Sequence, residues 1–252
     1  MDNSTYVALS LAQAMRRDMD VTANNIANAN TSGFKSERIV FDSVLFKDAG
    51  LDVRDTTNFV VDRGSYLDES QGTLTHTGNP LDFALEGDGW FAYETQDGRT
   101  AYGRDGRFTL DAQGNLVTLS GAQVLDVGGG NIAIPPDAGQ IVVARDGSIS
   151  NLAGDVLGQL GVFNLPDLQA YERIGNNMLA APEGENGAGL LAPQLDETTQ
   201  IVQGSIEGSN VQPVVEMTRM IQVQQAYDRA IKLMNTEDDL RKDMLQRLGR
   251  IT

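Results

Sequence analysis

From Val211 to Arg250 the chain reads VQPVVEMTRMIQVQQAYDRAIKLMNTEDDLRKDMLQRLGR, with no glycine before Gly249 and one proline, Pro213, near the front. A first helical turn tolerates proline there. At ~1.5 Å per residue such a helix reaches roughly 50 Å, about twice the diameter of a small domain. One small core does not cover it. Met217, Met220, Gln224, Tyr227, Ile231 and Met234 recur by three and four, the spacing of a coiled-coil seam. A second seam runs through Val223, Ala226, Ala230, Leu233, Leu240 and Met244. The helix is therefore apolar on two faces. One face can take a helix of the same chain, and the other asks for a further partner. The alternative, burial inside its own domain, is disfavoured because the polar centre of the chain offers no other long apolar helix.

Residues 3–28 form the second long helical pattern, with Thr5, Ala8, Ala12, Met15, Met19, Thr22 and Ile26 at alternating three and four. The matching period predicts that the first and last segments pack together, closely where Ala8 and Ala12 are small. An ordinary amphipathic helix on a globular core is the competing reading. Asn24, Asn25, Asn28 and Asn30 follow, four asparagines in seven residues, although asparagine competes for helix backbone hydrogen bonds. Gly33 suits a helix C-cap. Asn24, Asn25 and Asn28 come too early for capping alone, and buried asparagine between helices can fix register.

Charge separates the centre from the ends. The net charge is −16; residues 1–50 carry 6 acidic and 5 basic side chains, and residues 204–252 carry 7 of each. The centre therefore carries nearly all of the excess, net −15. Near-neutral ends permit dense packing of copies, whereas the centre repels its like and stays hydrated. No basic patch with interleaved aromatics argues for nucleic acid. The chain has no cysteine and one histidine, His76, so it has no disulfide, thiolate site or multi-histidine metal site. No apolar run approaches ~20 residues, so no membrane span is expected. The N-terminus lacks the basic leader and continuous apolar core of a cleavable secretory signal.

Residues 36–75 read as an extended connector anchored by Phe41, Val44, Leu45, Phe46, Val53, Phe59 and Tyr66. Residues 76–204 turn to β character. Asp-Gly pairs at 97–98, 105–106 and 146–147 signal hairpins. Strand candidates fall at 81–85, 90–93, 99–103, 107–111, 115–119, 122–126, 131–134, 140–144, 148–151 and 156–163. A helical turn or two is expected within 165–173, and 182–200 reads as an acidic return loop. The expected fold is α+β: long N- and C-terminal helices (1–35 and 205–252) packed as a coiled coil around an inserted all-β, barrel- or sandwich-like middle domain.

The run ANNIANANTSGFK near the N-terminus resembles the signature of the flagellar axial proteins, the rod, hook and hook-associated subunits. GNPLDFALEGDGWF, YGRDGRFTLDAQGNLVTLSGAQVLD, LGVFNLPDLQAYERIGNNMLAA and QGSIEGSNVQPVVEMTRMIQVQQAYDRA are similar to further blocks of the same family, in the same order. The opening MDNSTYVALS is most similar to that of the proximal-rod member. Pro213 and the tail after Asn235 depart from the family pattern. The resemblance implies a structural rod subunit with no cofactor. It would polymerise through its terminal helices with itself and other proximal and distal rod subunits. It would be exported uncleaved through the flagellar type III apparatus into the periplasmic basal body. On this reading the subunit-packing residues are Ala8, Ala12, Met15, Met19, Asn24, Asn25, Ile26, Asn28, Gly33, Phe34, Met217, Met220, Tyr227, Ile231, Leu233 and Met234.

Catalytic patterns are weak. Asp105, Asp111 and Asp146 do not follow EF-hand spacing, and residues 128–130 are too short for a phosphate loop. His76 reads as a strand-edge residue. Carboxylates are plentiful enough for a glycosidase pair, though nothing in the pattern singles one out. A distal-rod or hook-type subunit and a peptidoglycan-binding or glycan-active module are the alternatives.

Overall fold

The computed structural model describes residues 3–46, 57–182 and 192–248. Val53, Gly249 and the middle of the expected return loop, 183–191, lie outside the described residues. The chain has an N-terminal helix α1 (Asn3–Ala27), a β-rich centre and a C-terminal helix α2 (Pro213–Leu248). It divides into two compact units, one of residues 1–27, 37–66 and 212–252, the other of residues 28–36 and 67–211.

In the helical unit α1 and α2 run antiparallel. Thr5 Oγ1 donates to Glu237 Oε2 at 2.8 Å, and Arg219 Nη2 donates to Asp18 Oδ1 at 3.1 Å. Ala8, Ala12, Asp18, Thr22 and Asn25 are buried along α1, and Glu216, Val223 and Ala230 along α2. The α2 spacing is seven residues, so the buried stripe falls between the two expected seams. It takes Val223, Ala226 and Ala230 from one, and half-buried Met220, Tyr227, Ile231 and Met234 from the other. Met217, Gln224, Leu233, Leu240 and Met244 are exposed. The centring residue Glu216 is charged, with a carboxylate oxygen 3.8 Å from the Arg38 guanidinium. An apolar pattern does not reveal it. The segment read as a connector contributes a two-stranded sheet, Glu37–Phe46 with Thr57–Leu67.

The β-rich unit holds one large antiparallel sheet. Its strands run in the order Glu172–Gly175, Met178–Ala180, Thr100–Gly103, Trp90–Glu94, Gln123–Val124, Leu116–Thr118, Phe108–Leu110. Val162–Asn164 pairs with Trp90–Glu94 and with Gln194–Leu195. A three-stranded sheet (Ile141–Val143, Ser148–Asn151, Val156–Gln159) and two small ladders complete it, Phe83–Glu86 with Gln200–Gln203 and Leu74–His76 with Ser205–Glu207. No closed barrel forms among the described residues.

Strand Trp90–Glu94 explains why the unit has two apolar layers. Phe91 and Tyr93 enter one core with Phe83, Phe108 and Leu116, while Trp90 and Ala92 enter another with Tyr102, Leu165 and Leu179. Alternate side chains of a strand point to opposite faces, and here both faces are covered.

The turns differ in one respect from expectation. Gly98 and Gly147 have φ of +76° and +88° and sit in hairpins. Asp105-Gly106 does not: the flanking strands Thr100–Gly103 and Phe108–Leu110 are not paired with each other. Gly106 is there for a close approach, because a Cβ would collide with the Phe83 carbonyl, while its own carbonyl accepts from the Phe83 N–H at 2.9 Å. Residues 131–134 form isolated bridges rather than a strand. A 3-10 turn occupies Leu168–Ala170.

Candidate functional site: an exposed helix face and a buried charge cluster

Apolar side chains stand exposed along α2. Val214, Met217 and Ile221 cluster near its start, and Leu233, Leu240, Met244, Leu245 and Leu248 follow toward its end. Leu233 is 59% and Leu240 57% exposed; single exposed apolar side chains are ordinary, and what marks this helix is a run of them along its length. Glu237 is the α2 residue bonded to Thr5, near the start of α1, and α2 continues to Leu248. At ~1.5 Å per residue the remainder is roughly 16 Å long.

The residues expected to pack between subunits fall into several environments. Ala8, Ala12, Asn25, Gly33 and Phe34 are buried within the chain. Met15, Met19, Ile26, Asn28, Met220, Tyr227, Ile231 and Met234 are half-buried. Asn24, Met217 and Leu233 are exposed.

Asn25 has a specific internal partner. Its Nδ2 donates to the Glu37 carbonyl at 2.8 Å, and its Oδ1 accepts from the Glu37 N–H at 3.0 Å. The carboxamide thus substitutes for a neighbouring strand at the start of Glu37–Phe46. Buried polar backbone needs such a partner. Asn25→Ala removes both of these bonds to the Glu37 backbone, and is expected to cost about 1–3 kcal/mol. A thermal melt of the full chain checks it.

The β-rich unit encloses charges that the sequence reading did not select. Lys35, Arg104 and Glu207 are 3%, 2% and 1% exposed. Lys35 Nζ donates to Glu207 Oε1 at 2.8 Å and to the Ser70 carbonyl at 2.8 Å. Arg104 Nη1 donates to Glu207 Oε2 at 3.2 Å, and Gly72 N–H to Glu207 Oε1 at 2.9 Å. The Arg104 guanidinium lies 5.1 Å from the centroid of the Trp90 ring, a cation–π contact. Burial pulls the Lys35 ammonium below its usual pKa, Glu207 opposes that pull, and Arg104 adds to it. Gly33 (φ +67°) lies against the backbone of Arg104 and Asp105, which a Cβ would strike. Phe34 sits under the Arg173 guanidinium, 5.1 Å from its ring centroid. Their close fit is internal to this unit.

A cleft of about 370 Å³ in the same unit is lined by Asp146, Asp196 and Glu197 beside Val162, Leu195 and Ile201. The Ser148 N–H holds the Asp146 carboxyl below its usual value. Burial pushes Asp196 up, but hydrogen bonds from Thr198 and Thr199 outweigh it and leave that carboxyl low as well. A glycosidase acid needs the opposite shift.

The same shifts set a pH profile. The Asn115 side chain and backbone hold Asp111 low, as Ser148 does Asp146. Groups with depressed folded-state pKa stabilise above the unfolded value and lose that contribution as pH falls through the folded one. Burial raises Tyr93, Tyr102 (to about 12) and Tyr171, so these disfavour the folded state as pH rises above their ordinary value of 10.0. The urea midpoint is therefore expected to fall below about pH 4 and above about pH 10. Asp111→Asn should flatten the acid limb only.

Three family models match in chain order. Residues 6–35 match the flagella basal body rod protein, 84–151 the flagellar hook protein FlgE/F/G D1 domain, and 202–247 the flagellar basal body rod FlgEFG protein C-terminal region. The chain is 41% identical over 252 residues to the flagellar basal-body rod protein FlgF of Caulobacter vibrioides, covering all of both chains. It is 36% identical over 250 residues to FlgF of Mesorhizobium japonicum, covering 99% of each. Identity to the rod protein FlgG of Agrobacterium fabrum is 33% over 252 residues, covering 93% of this chain and 95% of that one. The chain belongs to the flagellar basal-body rod protein family and is an FlgF-like structural subunit of that rod.

Proposed function

We propose that the chain polymerises helically in the proximal rod, its terminal helices forming part of the drive shaft and lining the export channel. The observation that carries this is the row of exposed apolar side chains on α2, above all Leu233, Leu240, Met244 and Leu248. Heterologous contacts that do not close give an open helical assembly, and the near-neutral ends favour it over contacts through the acidic centre.

Seven-residue spacing of Glu216, Val223 and Ala230 supports an antiparallel coiled coil between α1 and α2. Two apolar layers sharing strand Trp90–Glu94 support a sandwich-like β-domain. The proposed domain limits are 1–35 with 205–252, 36–75, and 76–204. The proposed packing residues are Ala8, Ala12, Met15, Met19, Asn24, Asn25, Ile26, Asn28, Gly33, Phe34, Met217, Met220, Tyr227, Ile231, Leu233 and Met234. Partners are further copies and other rod subunits, met in the periplasm after uncleaved type III export. No helix of the described residues is long and apolar enough to cross a membrane. The subunit needs no cofactor and catalyses no reaction; the carboxyls of Asp146 and Asp196, held low, are poorly suited as general acids.

The 33% identity to FlgG keeps a distal-rod position as the second reading. Deleting the gene and imaging basal bodies tests both. Rods that stop at their proximal end support the first, rods that stop further out support the second, and full-length rods overturn both. Peptidoglycan turbidity that falls with purified protein, and no longer falls when one carboxylate is changed, would establish an enzyme instead.

A further inference from the structure

The ladder between Leu74–His76 and Ser205–Glu207 is three residues long, and Leu74, Thr75 and His76 are all exposed. Register is strongly specified where one face is buried, and the inward face of this ladder is polar, Ser205 and Glu207, with Ile206 only half-buried. The apolar ladder of Phe83–Glu86 with Gln200–Gln203 ends one residue earlier, at Gly204 (φ +73°), and beyond that turn the neighbouring charges hold the pairing. Glu207 accepts from Lys35, from Arg104 and from the Gly72 N–H, and the Gly33 N–H donates to the Glu207 carbonyl at 2.9 Å. Gly72 meets Gly208 backbone to backbone, leaving no room for a Cβ. A two-residue slip of Ser205–Glu207 would keep its side-chain alternation but would remove the carboxylate from Lys35, Arg104 and the Gly72 N–H, and the Glu207 carbonyl from the Gly33 N–H.

The arrangement is poorly suited to adding stability. It buries two cations with one anion, and Arg104 Nε has no hydrogen-bond partner among the described residues. Buried ion clusters are often matched or exceeded in stability by apolar replacements of similar volume, while removal of one partner is costly. Lys35, Arg104 and Glu207 come from the three segments that the family models match separately, 6–35, 84–151 and 202–247.

We propose that Lys35, Arg104 and Glu207 form a register lock, which selects one alignment of residues 33–35, 70–72 and 205–208 and contributes little net stability. The lock acts just before residues 36/37 and 211/212, where the chain passes to the helical unit. It goes beyond the rod reading, and its test uses only the purified full chain.

Three variants are compared with the parent: Glu207→Leu, the triple Lys35→Met/Arg104→Met/Glu207→Leu, and the neutral polar set Lys35→Met/Arg104→Gln/Glu207→Gln. Thermal melts give stability, and amide exchange at Gly33, Thr77 and Gly208, whose N–H groups bond across these segments, gives register. Glu207→Leu strands two buried cations and should lower Tm by roughly 6–20 °C. The triple variant should melt within about 4 °C of the parent or above it, yet those three amides should exchange at least about tenfold faster, a factor equal to about 1.4 kcal/mol of opening free energy. A triple variant that melts as low as Glu207→Leu makes the cluster a stabiliser and overturns the proposal. Parent-like exchange in a stable triple variant places register elsewhere and also overturns it. If the triple variant does not fold, the neutral polar set decides by the same two readings.

Discussion

Leu233→Asp and Leu240→Asp are each expected to leave the isolated subunit folded and to reduce its incorporation into rods by more than about tenfold. Both residues are more than half exposed on α2, so a new carboxylate is hydrated in the monomer and changes its stability by less than about 0.5 kcal/mol. In a subunit interface the same charge is stripped of water without a partner, at several kcal/mol by rough estimate. Ile231→Asp separates the two faces. Ile231 is half-buried, so its substitution should weaken the monomer as well as the assembly. Lys232, exposed beside them, should tolerate Ala with normal incorporation. The measurement is the basal-body-bound fraction of each variant, with a melt of the purified subunit beside it. Normal incorporation of both Leu variants would mean that this face is not packed in the rod.

A large loss of stability is expected at Phe108. Its ring centroid lies 5.6 Å from that of Phe83, 5.4 Å from Phe91 and 6.2 Å from Tyr93, and the residue is 3% exposed. Phe108→Ala removes one side of three aromatic contacts and leaves a cavity that the paired strands close only in part. The expected cost is about 3–5 kcal/mol, or roughly 10 °C in Tm for a unit of this size. Calorimetry on the full chain measures it. A shift below about 2 °C would mean that the strands relax around the gap, contrary to a close-packed interior. Phe108 lies in YGRDGRFTLDAQGNLVTLSGAQVLD, one of the sequence blocks that resemble the rod family, and it serves the core of its own unit.

What the sequence disclosed follows from the range of the interactions. Period and breaker residues are local, so α2 from Pro213, the hairpins at Gly98 and Gly147 and the strands near 100–103, 108–110 and 116–118 were legible. The α1–α2 seam was legible only in part. Its centre includes Glu216, which pairs with Arg38, and a charged residue does not register in an apolar count. Asp105-Gly106 has the composition of a hairpin, but its glycine answers to Phe83, a residue distant in sequence. The charge cluster was illegible for the same reason. Lys35, Arg104 and Glu207 are ordinary surface residue types, and only tertiary contact shows that they are buried together. Spacing alone suits Asn25 to fixing helix register. Its carboxamide instead completes the backbone of Glu37, a pairing that spacing along a helix does not encode.

The most direct measurement uses the absence of cysteine from the chain. Single cysteines at Leu233, Leu240 and Leu248 give unique reactive sites on the exposed α2 face, and one at Leu152, 71% exposed in the β-rich unit, serves as a comparison. Each variant is expressed in place of the parent, basal bodies are purified, and a short thiol-to-amine cross-linker is applied. The account predicts that the three α2 positions join the chain to neighbouring rod subunits in basal bodies and do not in the soluble subunit, with Leu152→Cys giving far less product. A chain that is present in basal bodies, yet yields no α2 cross-link to a neighbour, would contradict assembly through the terminal helices.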